Sequence, residues 1–238
     1  TLQELGFAAS TGASPIALVG PFRLFSDTTI RRMREELLSM AEKYGVEGKV
    51  VRNQMRGMVP EYIQAESNVW RNERTITRIS HFAELDLVPV IKMEISQVNI
   101  AEPLENDTMS VEMHKDSYPF VCVVMLSDTT GMEGGETILK GPLGATRTLE
   151  SLKMGWAYVL QGYHVAHAVK SFSGPHNRIT AITSFRPSSP LVLDETNLGT
   201  VRSISHFDRL HREFYEYRVG MIRDIGRHIL HDGMDPQR

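Results

Sequence analysis

The chain has 238 residues, 41% of them apolar and 23% charged, with 26 Lys and Arg against 29 Asp and Glu for a net charge of −3. That length suits one large domain or two small ones, and the mixture excludes a disordered or collagen-like chain. The near balance of charge argues against nucleic acid or anionic lipid as partners, and the single cysteine, Cys122, excludes an internal disulfide framework and fits a reducing, cytoplasmic setting.

No apolar run approaches the roughly 18 residues of a membrane span, and no charged, apolar and small-residue series at the start resembles a signal peptide. A leader removed ahead of Thr1 stays open. Gly and Pro are scattered as turn punctuation with no linker or repeat, so one domain is expected over 1–238. In chain order, Ser26 or Asp27 caps a helix carrying Ile30, Met33, Leu37, Met40 and Tyr44 on one stripe, closed by Gly45. Between Asn53 and Glu84 the pattern is mixed, with a turn at Arg56-Gly57-Met58-Val59-Pro60 and a helix over Ile76 to Leu85.

From Val90 the grammar becomes short runs rich in Val, Ile, Thr, Tyr and Phe between turn residues. Strands are expected at 92–100, 109–115, 120–127, 136–140, 155–161, 163–170 and 178–185. That spacing predicts a mainly β protein of double-layered jelly-roll type with helical flanks. The C-terminal stretch returns to helix, with a capping box at Ser205 and Asp208 and a stripe of Phe207, Leu210, Phe214, Tyr217, Met221 and Ile225. The expected division is an N-terminal helical and strand flank (1–91), the β core (92–187) and a C-terminal helical segment (188–238). The helical flanks also offer surfaces for a homo-oligomer.

Nine histidines need an explanation. Three precede an acid by two positions: His114-Lys115-Asp116, His206-Phe207-Asp208 and His211-Arg212-Glu213. With acids at roughly one position in eight, about one such match comes by chance, so geometry must sort them. Residues i and i+2 share a face of a strand but lie about 200° apart around a helix, so only His114 and Asp116 can grip one ion. A second histidine completes the two-His-one-carboxylate set that binds non-haem Fe(II) with open positions, and His167, in a strand-like run, fits. His164 points to the opposite face, and His164, His176 and His81 read as structural or solvated. Eleven positions beyond His167, Arg178 and Thr180 share a strand face, where a guanidinium and a hydroxyl together suit a dicarboxylate cosubstrate.

In these four elements the sequence resembles the Fe(II)/2-oxoglutarate-dependent dioxygenase superfamily: His-x-Asp, a distant His, then Arg-x-Thr where serine is commoner. Met125-Leu126-Ser127-Asp128 and Gly134-Gly135-Glu136-Thr137 are similar to elements of its prolyl-hydroxylase-like members. The likeness covers roughly Lys92 to Pro187. Gly20-Pro21-Phe22-Arg23-Leu24-Phe25-Ser26 is similar to fungal members, and the whole chain resembles fungal aziridine-forming amino-acid oxygenases. The resemblance implies a cupin-like double-stranded β-helix in which His114, Asp116 and His167 hold Fe(II), Arg178 and Thr180 anchor 2-oxoglutarate, and O2 takes the remaining position. It implies oxidation of an unactivated C–H bond of a small molecule, an amino acid or a natural-product intermediate of secondary metabolism, by hydroxylation, desaturation or ring closure.

Gln97 and Asn99 share a face of the strand before the metal pair; Asn99 is assigned to cosubstrate and Gln97 to substrate. Arg186, in phase with Arg178, is a second candidate for a substrate carboxylate. Trp156 and Tyr158 read as core, and the twelve methionines as packing. Two rivals use the same residues differently: a cupin-like metal isomerase or oxygenase independent of 2-oxoglutarate, and a non-catalytic jelly-roll binding protein.

Overall fold

A computed structural model of the protein describes residues 1–44, 46–47, 54–57, 69–104 and 109–233. Strand β1 (Leu18–Arg23) precedes helix α1 (Asp27–Tyr44), β2 (Val46–Glu47), β3 (Gln54–Arg56), α2 (Glu73–Ala83) and β4 (Leu87–Pro89). Then come β5 (Gln97–Ala101), β6 (Met109–His114), β7 (Phe120–Met125), β8 (Glu133–Gly134), β9 (Thr137–Lys140), β10 (Thr146–Leu149) and β11 (Trp156–Leu160). Strands β12 (Ala166–Lys170), β13 (Phe172–Ser173) and β14 (Arg178–Pro187) lead to the long helix α3 (Phe207–Gly233).

One sheet runs β1-β11-β7-β14-β5-β3-β2, with β4 added on β14, and a second runs β10-β9-β12-β6. From β5 to β14 the chain passes back and forth between them, and the antiparallel neighbours β14 with β5 and β7, and β12 with β6 and β9, are distant in sequence. This is the winding of a double-stranded β-helix, as expected. The N-terminal flank extends the large sheet at both edges, β1 pairing with β11 and β3 with β5.

Period two divides the large sheet into a helix side and a cavity side. Along β7, Phe120, Cys122 and Val124 are fully buried and pack with Ile30, Met33 and Leu37 of α1 and Ile79 of α2. Val121 and Val123, between them, face a cavity of about 110 Å³ between the two sheets. Along β14, Ala181 and Phe185 take the helix side, while Arg178, Thr180, Ile182 and Ser184 line the cavity. Each large aliphatic residue on the helix side contributes about 1.5–3 kcal/mol by its burial, so the scaffold behind the cavity is firmly held.

Ser26 caps α1, its hydroxyl accepting from the Thr29 N–H at 3.2 Å. Helix α2 starts earlier than the apolar pattern suggests, because the Asn72 side chain caps it by accepting from the Arg74 N–H at 2.9 Å. It ends at Ala83, where Glu84 takes a left-handed conformation with φ 52°. The strand expected from residue 92 begins at Gln97, since Lys92–Glu94 form a 3-10 turn and Ser96 has φ 57°. Residues 163–165 are a turn leading into β12.

The capping box expected at Ser205 does not form: its hydroxyl donates to the Val201 carbonyl at 2.7 Å and accepts from Arg56 Nε at 3.1 Å. On α3, Leu210 is buried but Phe207 is exposed, lying under the Arg202 guanidinium. Gly45 and residues 58–60 of the expected turn lie outside the described residues. No helix among the described residues is long and apolar enough to cross a membrane.

Candidate active site

His114 ends β6 and His167 lies in β12, directly opposite each other in the pairing of the two strands, with ring centroids 4.3 Å apart. Asp116 stands just past the end of β6, so a turn, not strand alternation, aims its carboxylate; its N–H donates to the Gly162 carbonyl at 2.9 Å. The Nε2 atoms of His114 and His167 each lie 3.6 Å from an Asp116 carboxylate oxygen, on Oδ1 and Oδ2 respectively. The three ligand atoms lie within 4.8 Å of one another.

Both imidazoles are oriented in the same way. His114 Nδ1 contacts the Glu112 carbonyl at 2.7 Å and His167 Nδ1 the Val165 carbonyl at 3.1 Å. A carbonyl only accepts, so each Nδ1 carries the proton and each Nε2 turns a lone pair toward the shared centre. Burial opposes the charged form of His114, yet Asp116 and the Glu112 carbonyl outweigh it and raise the pKa. Burial dominates at His167 and lowers it, over the pull of Asp116. Burial works to raise the Asp116 carboxyl, but His167 and His114 hold it below its usual range. A carboxylate beside imidazole lone pairs is a donor set for a divalent cation.

Across the cavity, Arg178 is 3% exposed and forms no ion pair among the described residues, and its Nε has no hydrogen-bond partner. Burial pulls its pKa down to about 10, with Tyr158 acting in the opposite sense. Thr180 is beside it on β14, and Asn99, opposite Thr180 in the β5 pairing, has a buried side-chain oxygen without a partner. A buried guanidinium and an unmatched amide oxygen in one cavity are unsatisfied until a ligand reaches them, and a dicarboxylate satisfies the guanidinium. Asp116 Oδ2 is likewise buried without a hydrogen bond, as fits an atom that binds a cation. These residues therefore fit both a facial divalent metal and 2-oxoglutarate.

Several solved structures share this architecture at low sequence identity. They include SnoN, a non-heme alpha-ketoglutarate-dependent epimerase from nogalamycin biosynthesis, at TM-score 0.54 and 14% identity over 73% of this chain and 78% of that one. A Pseudomonas putida prolyl-4-hydroxylase aligns at TM-score 0.51 and 13% identity, covering 73% and 94% of the two chains. The nickel complex of the non-heme monooxygenase ThoJ aligns at TM-score 0.53 and 15% identity, covering 89% and 96%. The fold is that of the 2-oxoglutarate oxygenases. No protein-family model matches the sequence, and no curated protein sequence matches it.

Within this oxygenase fold, the structure brings His114, Asp116, His167, Arg178, Thr180, Asn99 and Gln97 to one cavity. It does not bring Arg186 there. That side chain packs over the Tyr217 ring of α3 at 4.9 Å and donates to the Pro187 carbonyl at 2.9 Å. His164 lies apart from the metal centre and pairs with Glu195 at 2.7 Å. Tyr158, read as core, lines the cavity, its hydroxyl donating to the Glu150 carbonyl.

Three features escape a reading of the sequence. Gly162 packs so tightly on Asp116 that a Cβ there would lie 1.8 Å from Oδ2. Arg56, on the short strand β3, lines the cavity and is held by Glu94, Gln97 and Ser205. The segment after β14 caps the cavity with Thr200, Val201 and Ile204. It is tied down beside the metal centre by Ser117, whose hydroxyl accepts from the Thr200 N–H at 2.9 Å and whose carbonyl accepts from the Asn197 N–H at 2.9 Å.

Proposed function

We propose that the protein is a non-haem Fe(II)/2-oxoglutarate-dependent oxygenase acting on a small molecule, an amino acid or a natural-product intermediate. The observation that carries this reading is the pairing, within one cavity, of a two-His-one-carboxylate set with a buried guanidinium that has no counter-ion among the described residues. His114, Asp116 and His167 would hold the iron; Arg178, with Thr180 and Asn99, would hold the far carboxylate of 2-oxoglutarate. Bound together with O2, these groups would supply the oxidising power for C–H cleavage, at the expense of 2-oxoglutarate being oxidised to succinate and CO2. The protein orients the substrate and excludes water, which the capping segment and the apolar walls serve. A solved SnoN complex holding Fe3+, alpha-ketoglutarate and nogalamycin RO supports the same cofactor set.

Residues 92–187 carry the chemistry in this reading, and 1–91 and 188–238 buttress it within one domain. The product is a hydroxylated, desaturated or cyclised form of the substrate, an aziridine among the ring products. The setting is biosynthetic and cytoplasmic, and α3 is the surface for any homo-oligomer. The test is anaerobic addition of Fe(II) and 2-oxoglutarate. A visible charge-transfer band is expected in the parent and absent in His167→Ala, and a parent without the band sinks the reading. Stoichiometric succinate on exposure to O2 and substrate separates it from a metal isomerase, which makes none.

A further inference from the structure

We propose that the outward face of α3 pairs with the same face of a second copy of this chain, the two helices lying antiparallel about a twofold axis between Gly220 and Met221. No residue of α3 lines the metal and cosubstrate cavity, so this pairing goes beyond the oxygenase reading and does not depend on it.

Helix α3 has two apolar sides. Leu210, Phe214, Tyr217, Met221 and Ile225 follow one another by four, three, four and four positions and are buried or half-buried, Leu210 packing with Val90, Ile91, Met93 and Val201. On the other side Tyr215, Val219, Ile222, Gly226 and Ile229 follow by four, three, four and three positions, the spacing of a coiled-coil seam. Tyr215 is 68% exposed, Val219 44%, Ile222 69% and Ile229 65%, and Leu230 beside them is 67% exposed. A monomer has use for one such stripe, and this second one lies in water. The helix also outruns its support, for every residue from Arg227 to His231 is exposed. Tertiary packing supplies most of a helix's stability, so turns that carry Ile229 and Leu230 without it call for a partner.

The face is complementary to itself. With the axis between Gly220 and Met221, the two helices overlap along all 27 residues, about 40 Å at 1.5 Å per residue. Tyr215 then meets Gly226 of the second copy, where the helix surface is open because a Cβ would find nothing within 4 Å. Val219 meets Ile222, and the unsupported turn at Ile229 and Leu230 lies on the anchored first turns around Phe207, itself 49% exposed. Glu216 and Arg223 stand seven positions apart on one flank of the stripe, so antiparallel pairing sets each beside the other's counterpart, twice by symmetry. Glu216 has no ion pair among the described residues, and Arg223 is bonded through Nε to its neighbour Asp224 at 2.9 Å. A lipid surface fits less well, since Asp208 and Glu216 share the outward side with Arg212 and Arg223.

Sedimentation velocity of the full chain, over a hundredfold range of concentration reaching the high micromolar, tests this. The parent should reach twice the mass of one chain, and Ile222→Asp should weaken the dimer at least tenfold. Glu216→Arg and Arg223→Glu each bring like charges together and should weaken it at least fivefold, whereas the two combined restore opposite charges and return the dissociation constant to within twofold of the parent. Calorimetry with Zn(II) and 2-oxoglutarate on each variant should match the parent, which shows that the body is intact. Should Ile222→Asp fail to fold, the exposed charge variants decide alone. A parent that is monomeric throughout, an Ile222→Asp dimer of parental strength, or a double variant no tighter than the single ones overturns the proposal. So does a monomer that sediments with phosphatidylserine vesicles, which would assign the stripe to a lipid surface. Loss of 2-oxoglutarate binding in the parent would bring down the oxygenase reading and leave this pairing standing.

Discussion

Arg56 and Arg178 are both almost fully buried on the wall of one cavity, yet their surroundings are opposite. Arg56 is met by a carboxylate, an amide and a hydroxyl; Arg178 has no ion pair among the described residues and an unsatisfied Nε. A buried cation with partners is a finished part of the fold, whose removal leaves those partners stranded. A buried cation without them is costly in the free protein and marks where an anion belongs. The difference separates a residue that the protein holds in place from one held ready for a ligand.

The largest expected effect tests the finished side. Glu94→Ala strands the Arg56 guanidinium and should cost about 3–5 kcal/mol in denaturant unfolding. A loss below about 1 kcal/mol would mean that Arg56 is not dependent on Glu94. Arg178→Met tests the other side: stability unchanged or higher in the same assay, with 2-oxoglutarate affinity down about a hundredfold by calorimetry, the worth of a charge-assisted bidentate contact. If Arg178→Met lost several kcal/mol, the contrast between the two arginines would fail. Gly162→Ala brings a methyl onto Asp116 and should weaken Zn(II) binding about 10–100-fold, while both arginines keep their contacts. The smallest effect belongs to Arg186, whose contact with the Tyr217 ring predicts a loss under about 1 kcal/mol for Arg186→Ala and unchanged 2-oxoglutarate affinity.

The clustering of His114 with His167 and the shared face of Arg178 and Thr180 were legible because a period of two fixes which face a strand residue occupies, whereas Asp116 reaches the same place by a turn past the end of its strand. The same rule misled at Arg186. It shares the inward phase of Arg178, but eight residues along β14 the strand has left the cavity and the face meets α3. Periodicity specifies a face and not a depth. Strand β10 escaped notice because, among the described residues, it pairs only with β9, at the edge of the small sheet, and Thr146, Arg147 and Thr148 are all exposed, so it shows no apolar alternation. Arg56 was hidden for another reason. Its partners lie on a 3-10 turn, on β5 and ahead of α3, and a pairing across that much chain leaves no local pattern. Gly162 read as ordinary punctuation, since nothing in Gly162-Tyr163-His164 shows that a carboxylate will be packed against it.

Strands β6 and β12 pair out of step, with breaks in register on either side of Val169, although His114 and His167 remain opposite each other. An ion held by both imidazoles would rivet the ladder at the place where its backbone bonds are least regular. The catalytic metal would then also act as a cross-strand fastener. Iron supply would set how often this edge of the barrel opens, and slow amide exchange along β6 and β12 would report metal loading before any product is formed.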